Sequence, residues 1–290
     1  MTSTTHPLDH LVLPTASLAV ARARLTSLGF IVAPTGVHPF GTENCCVFLA
    51  DGTYLEPLAV GNEQVAASAI AGGNVFVARD RLYRASLGDE GFSAVVLATD
   101  DADADHARFI KAGLSAGDVL SFSRAFTDTA GKSDMASFKL AFAAGAETTD
   151  AFLFACERIN APQIDRSALQ AHANGVTGIA EIVAVSDAPS TQISLISTVV
   201  GSEQQSSAVF DLPNAHLTVL DPAAFTARFD IPAGAPTRVR FAAIVFSVRS
   251  VGAVARLLAD NAVGHDIAGN EIVVQPASGQ GAAFIFRETP

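Results

Sequence analysis

Short apolar runs recur along the chain, each followed by an alanine-rich stretch of helical spacing and then by two or three further short runs punctuated by Gly, Asn, Asp or Pro. The first such set opens with a strand at Leu8 to Leu13 and continues with a helix from Ser17, in N-cap position, to Leu28, stopped by Gly29. Strands are predicted near Phe30 to Val32, Cys46 to Ala50 and Thr53 to Val60, the last two joined by the hairpin pair Asp51-Gly52. A second set opens at Phe92 to Leu97, with a helix over Ala102 to Ala112 and strands at Val119 to Phe126, Ala136 to Phe142 and Ala151 to Cys156. A third opens at Gly178 to Val183, with a helix over Ser190 to Val199 and strands at Ala208 to Leu212 and Ala215 to Leu220. The fourth opens at Arg240 to Phe246, with a helix over Val251 to Asp260 and strands at Glu271 to Gln275 and Ala282 to Arg287. A unit repeated at this scale decides the architecture. The pattern predicts an α+β fold of four βαβββ modules, paired into two cup-shaped mixed sheets with flanking helices.

A polar connector near Glu157 to Val176 separates the two pairs, so two domains are expected, over residues 1–160 and 175–290. Gly72-Gly73 and Gly234-Ala235-Pro236 read as shorter joints inside each pair. With 290 residues, nearly half of them apolar and only 16% charged, the chain can bury a large core and is not a disordered one.

Charge and cysteine content narrow the partners. A formal net charge of −11 disfavours nucleic acid and anionic membrane surfaces, both of which reward basic patches. Arg79, Arg81 and Arg84 form a local basic cluster that reads as a solvated surface. Cys45, Cys46 and Cys156 offer neither a disulfide framework nor a CxxC metal motif, which suits a reducing cytoplasm. Neither a signal-peptide pattern at the N-terminus nor an apolar run of about 18 residues is found, so a cytoplasmic protein is expected. Thr129-Ala130-Gly131-Lys132-Ser133 lacks the first glycine of a phosphate loop and precedes a strand rather than a helix, so it is set aside.

The chemistry-bearing residues concentrate in the first module. His10 on one strand and Glu56 on another are good ligands for Zn, Fe, Mn or Ni, and rigid strands would fix their geometry. Glu56 lies in an apolar strand between Leu55 and Pro57-Leu58, where a carboxylate must be paired, solvated in a cavity or metal-bound. His38, Thr42 and Asn44 share a glycine-containing loop and supply convergent hydrogen-bonding groups; Tyr54 precedes Glu56 on its strand. His172 and Asn174 follow the connector. The bland alternatives are a His10 satisfied by Asp9 or a backbone carbonyl, an exposed His38, and a His172 that only caps the next strand.

The segments Leu8-Asp9-His10-Leu11-Val12, Leu28-Gly29-Phe30, His38 to Asn44 and Gly52-Thr53-Tyr54-Leu55-Glu56 resemble the first module of a glyoxalase-like protein of the vicinal oxygen chelate superfamily. Phe152 to Cys156 and His172 to Ile179 resemble the middle of such proteins, which extends the similarity to about Pro189. The resemblance implies a cup whose metal chelates two neighbouring oxygens of a small-molecule substrate, with His10 and Glu56 at the ligand positions. It also implies a homodimer as one way of completing a cup. Aligned by their opening strands, the other modules place Ala94, Glu181 and Ala243 at the His10 position, and roughly Phe154, Thr218 and Phe286 at that of Glu56. Only the third module offers polar groups, Glu181, Thr218 and His216, as a second, weaker site.

The expected function is therefore proton abstraction next to a carbonyl, metal-assisted or not, by a lyase or isomerase. In it Glu56, its pKa raised by burial, is the base, His10 holds the metal or acts as the acid, and His38, Thr42, Asn44, Tyr54 and His172 contact substrate. Two alternatives stay open. One is a metal-free protein of the same fold that sequesters a small hydrophobic molecule, and the other is a ring-cleaving dioxygenase.

Overall fold

The computed structural model describes residues 5–127, 133–145, 151–161, 165–202, 208–235 and 238–289. The rejected phosphate-loop residues Thr129 to Lys132 fall outside these, as do parts of the connector and of the Gly234-Ala235-Pro236 joint. The first half contains β1 (Leu8–Pro14), α1 (Leu18–Ser27), β2 (Gly36–Val37), β3 (Thr42–Asn44), β4 (Val47–Phe48), β5 (Tyr54–Val60), α2 (Glu63–Ala71), α3 (Val75–Leu87), β6 (Ala94–Thr99), α4 (Ala102–Lys111), β7 (Leu120–Thr127), β8 (Ser133–Ala143) and β9 (Phe152–Asn160). The second contains α5 (Ser167–Gln170), β10 (Val176–Val185), α6 (Ile193–Val200), β11 (Val209–Asp211), β12 (His216–Leu220), α7 (Pro222–Phe229), β13 (Arg240–Val248), α8 (Val251–Asp260), β14 (Asp266–Ala268), β15 (Glu271–Val274) and β16 (Ala283–Glu288).

The strands form two mixed sheets, as the module pattern predicts. One runs β2-β3-β5-β1-β6-β9-β8-β7, with β4 beside β5; the other runs β11-β12-β10-β13-β16-β15-β14. In each, the opening strands of two modules pair antiparallel at the centre, β1 with β6 and β10 with β13, and each opening strand pairs in parallel with the last strand of its own module. The helices begin where the sequence caps them. Ser17, Asp101 and Ser250 accept backbone N–H bonds at the starts of α1, α4 and α8, and the chain leaves α1 through Gly29 at φ +84°.

Alternation along the strands sorts side chains onto two faces. Leu11, Leu13, Val95, Leu97 and Leu153 of the first sheet join Ile182, Ile244, Phe246 and Phe284 of the second, and the apolar faces of α1, α4, α6 and α8, in one continuous core. Each sheet thus turns its outer face inward to the molecule, and its concave face is closed separately. Over the first cup lie α2 and α3, whose Ala66, Val75, Phe76 and Val77 pack on Val12, Ala94, Val96 and Phe154. Over the second lies α7, whose Phe225 and Phe229, with Ile231 beyond it, pack on Val183, Val245, Ala283 and Ile285. These covering helices occupy the links within each module pair, where the sequence reading placed only joints. No helix among the described residues is long and apolar enough to cross a membrane.

One predicted element and one predicted position differ. Phe30 to Val32 is not a strand; Phe30 instead wedges between the halves, its ring 5.5 Å from that of Phe246 and 6.1 Å from that of Phe284. In the fourth module the residue facing the cup at the Glu56 position is Ile285 rather than Phe286, whose side chain lies in the central core.

Candidate active site

The first cup holds a buried polar cluster on an apolar floor. Along β1 and β5, His10 pairs in register with Tyr54 and Val12 with Glu56, so His10 and Glu56 sit diagonally on one face. The register of β1 against β6 shifts between Leu8 and His10. This irregularity turns Asp9 from the face that alternation would assign it to the side of its neighbour. His10 Nδ1 stands 2.7 Å from Asp9 Oδ1, and Arg158 donates to the same oxygen at 2.8 Å. His10 Nε2 stands 3.4 Å from Glu56 Oε2. Asn44 Nδ2 donates to the other Glu56 oxygen at 2.6 Å, and His38 Nε2 lies 3.6 Å from it. His38 Nδ1 is within 2.8 Å of the Thr42 hydroxyl. The Tyr54 ring stacks on His10 at 4.3 Å between centroids.

The charge states follow from what faces each group. A neutral imidazole carries one N–H, yet both nitrogens of His10 face carboxylate oxygens, so only the imidazolium satisfies both. Burial pulls the His10 pKa down, but hydrogen bonds and attraction from Asp9 and Glu56 outweigh it and raise the value above that of a free imidazole. For Glu56 burial alone would raise the pKa; the hydrogen bond and charge of His10, with His38 and Asn44, hold it down at about 2. The sequence-based expectation of a raised Glu56 pKa is therefore corrected, because the carboxylate is desolvated and paired together. His38 goes the other way. Burial pushes it down to about 4, and Arg124 and His10 add to the fall against the pull of Glu56, so it is neutral.

The cavity above the cluster is small, about 40 Å³, and is lined by His10, His38, Tyr54, Glu56, Arg124 and Cys156 among the rings of Phe40, Phe76, Phe122, Phe138 and Phe154. Thr42 and Asn44 stand behind this lining, holding His38 and Glu56. His172 lies elsewhere. Its ring accepts from Ile31 N–H and bonds the Phe48 carbonyl, each at 3.0 Å, and so staples the connector to the first module rather than facing the cavity.

Glu181 and His216 do not make a second site together. Glu181 accepts from both terminal nitrogens of Arg228 at 2.8 and 2.6 Å and from Arg287 at 3.3 Å, while His216, well exposed, pairs with Asp211. Sequence reasoning gave no place in the site to Arg124, to the rings of β7 and β8, or to Cys156. The signal was there in Leu120, Phe122 and Arg124, an arginine in phase with the apolar face of a strand.

Two imidazoles and a carboxylate are donor types that divalent metals take. Their arrangement does not fit one. One Glu56 oxygen is engaged by Asn44, His10 is held as a cation between two carboxylates and so offers no lone pair, and the matching positions of the second module are Ala94 and Phe154. Among the described residues no three or more His, Cys, Asp or Glu side chains are grouped to hold a metal ion.

A glyoxalase-like domain model matches residues 8–200. A comparison with curated proteins finds no match. Among solved structures, a hypothetical protein from Staphylococcus aureus is similar with a TM-score of 0.64 at 13% identity, covering 97% of this chain and 99% of that one. A 4-hydroxymandelate synthase variant from Streptomyces coelicolor gives 0.59 at 11% identity, with 98% and 93% covered. A Mn(II)-bound glyoxalase from Novosphingobium aromaticivorans gives 0.50 at 11% identity, with 99% and 83% covered. At such identities these structures speak to the fold, whereas the domain match spans two thirds of the sequence. The chain belongs to the glyoxalase-like family of the vicinal oxygen chelate superfamily.

Proposed function

We propose that the first cup is the active site of an enzyme that moves a proton on the carbon beside the carbonyl of a small oxygenated molecule, as an isomerase or lyase. The observation that carries this reading is the buried His10 with one nitrogen on Asp9 at 2.7 Å and the other 3.4 Å from Glu56, opening onto a cavity. Asp9, itself held by Arg158, fixes the orientation of the ring, the role a carboxylate plays behind a catalytic histidine elsewhere. The 3.4 Å gap is longer than a charge-assisted hydrogen bond, so a substrate oxygen can enter beside Nε2.

Glu56 is the base, and His10 the electrophile. At rest Glu56 is a weak base, because His10 stabilises its anion. When a substrate oxygen takes over the His10 N–H, that stabilisation is withdrawn and the carboxylate regains basicity inside a desolvated pocket. Glu56 then removes the proton from the carbon while His10 donates to the oxygen, giving an enol that is reprotonated from Glu56. Neutral His38 and Asn44 keep the carboxylate oriented. No metal-dependent step is included, since the donors do not fit one. Sequestration of a small apolar ligand is a second reading, favoured by the aromatic lining and by Ala94 and Phe154 at the partner positions.

The test is exchange of carbon-bound protons for deuterium in D₂O, followed by NMR over a panel of small 2-oxo compounds. We expect exchange with at least one class, lowered about 10²–10⁴-fold in Glu56→Gln and in His10→Gln. Exchange that is undiminished in both variants would sink the reading, and binding without any exchange would favour sequestration.

A further inference from the structure

The cavity contains one charged group that proton transfer leaves without a task. Arg124 lies on the edge strand β7, in phase with Phe122, and its half-buried guanidinium lines the cavity with His10, His38 and Glu56. The guanidinium carbon stands 6.0 Å from the centroid of the Phe138 ring. Gly36 makes room for it, since a Cβ there would come within 2.7 Å of Arg124 Nη1.

Among the described residues no carboxylate or carbonyl pairs with this guanidinium. Five other arginines are paired with carboxylates. Arg84 binds Asp80, Arg108 binds Asp105, Arg158 binds Asp9, and Arg228 and Arg287 bind Glu181. Carboxylates are not scarce, for the chain has 29 Asp and Glu against 18 Lys and Arg. A guanidinium offers a rigid fork of donors matched to two oxygens of one anion, and drawing it partly out of water without a partner is costly unless an anion arrives.

We propose that Arg124 anchors the carboxylate of the substrate, so that the first cup takes a short-chain 2-oxo acid. The carboxylate pairs with Arg124 at the rim, and the neighbouring carbon–oxygen group reaches down to His10 and Glu56. The size of the cavity sets the length. About 40 Å³ is room for roughly three waters, well below the roughly 150 Å³ of an apolar cavity known to admit benzene. An acid of about three or four carbons therefore fits the pocket as walled by Phe122 and Phe138. The orientation of the carbonyl rests on the proton-transfer reading above; the anchor does not.

The experiment compares matched pairs, each acid against its amide, in the full-length protein. Binding is read by ligand-observed NMR and turnover by α-proton exchange in D₂O. The wild type is expected to prefer the acid about 10–100-fold, the range of a hydrogen-bonded charge pair. Arg124→Gln should reduce that preference to about twofold or less, and Arg124→Lys should retain part of it as a point charge without the fork. His10→Gln should keep the preference and lose exchange. Amides that bind and exchange as well as acids would overturn the anchor while leaving proton transfer standing. Acid-selective binding without exchange would do the reverse. A preference that survives in Arg124→Gln, or no binding of any acid, would also overturn the anchor.

Discussion

The two cups share one blueprint and differ in what covers them. Where the first has His10 and Glu56, the second has Glu181 and Thr218 at matching places on β10 and β12. In the first, α3 brings Phe76 to the wall and leaves a cavity. In the second, α7 drives Phe225 and Phe229 into the concave face, and Arg228 binds Glu181 with both terminal nitrogens. The polar group at the bottom of a cup thus has two fates. Glu181 is answered by the chain's own arginine, whereas the charges of His10 and Glu56 answer each other and face open space. The cup that keeps its space is where chemistry is to be sought.

The sharpest break of this contrast is charge removal. Glu56→Ala would leave the His10 cation with Asp9 alone, and removing one partner of a buried pair costs about 3–5 kcal/mol. Loss of that size should appear in denaturant unfolding, together with loss of α-proton exchange. Glu56→Gln, which keeps the shape, should lose exchange at a smaller cost in stability. The counterpart in the second cup is apolar. Phe225→Ala would empty a site now fully buried and cost about 3–5 kcal/mol, with exchange in the first cup unchanged once the protein is folded.

Acid sensitivity separates the cups next. His38 has its pKa depressed to about 4, so between that value and 6.5 the unfolded chain binds a proton that the folded chain refuses. Its contribution is full above 6.5 and falls as the pH drops toward 4, by up to about 3 kcal/mol. Glu56, held at about 2, contributes above 4.5 and loses that contribution as the pH falls toward 2. His10, whose pKa is raised, contributes fully below 6.5 and less as the pH rises through its folded value. A urea-midpoint profile against pH should therefore fall on the acid side from pH 6.5, and His38→Gln should flatten that limb.

The smallest effect belongs to Glu181. Arg228 and Arg287 are each more than a quarter exposed, so Glu181→Gln should cost about 1 kcal/mol or less and leave exchange intact. Metal analysis complements these measurements, with well under one equivalent expected in protein purified without added metal. A full equivalent lost in His10→Ala would show that the Asn44 and His10 contacts to Glu56 give way to an ion.

Much of this was legible in the chain itself. Strand alternation and the cap at Ser17 locate the opening strands and the first helix closely, and the helices predicted from Ala102 and Val251 begin there, behind caps at Asp101 and Ser250. The covering helices were not read, although Asn62 and Asn74 cap α2 and α3 through their side chains. Gly72-Gly73 between them reads as a joint, and which face such a helix covers depends on the sheet it meets. His10, Glu56, His38, Thr42 and Asn44 stand together because one module's strands bring them there. The charge of Glu56 could not be read, because it follows from the irregularity that turns Asp9 toward His10. Arg124 depends on how β7 registers with β8, and His172 lies too far along the chain for its spacing to say that it meets Ile31 and Phe48.

The ionisation of His10 tests the account most directly. Nitrogen-15 NMR of the histidine rings in the ligand-free protein should show both His10 nitrogens protonated at pH 7. The titration should lie above 6.5 and move down in Glu56→Gln. A neutral His10 at pH 7, with one protonated nitrogen and a titration indifferent to Glu56, would contradict it.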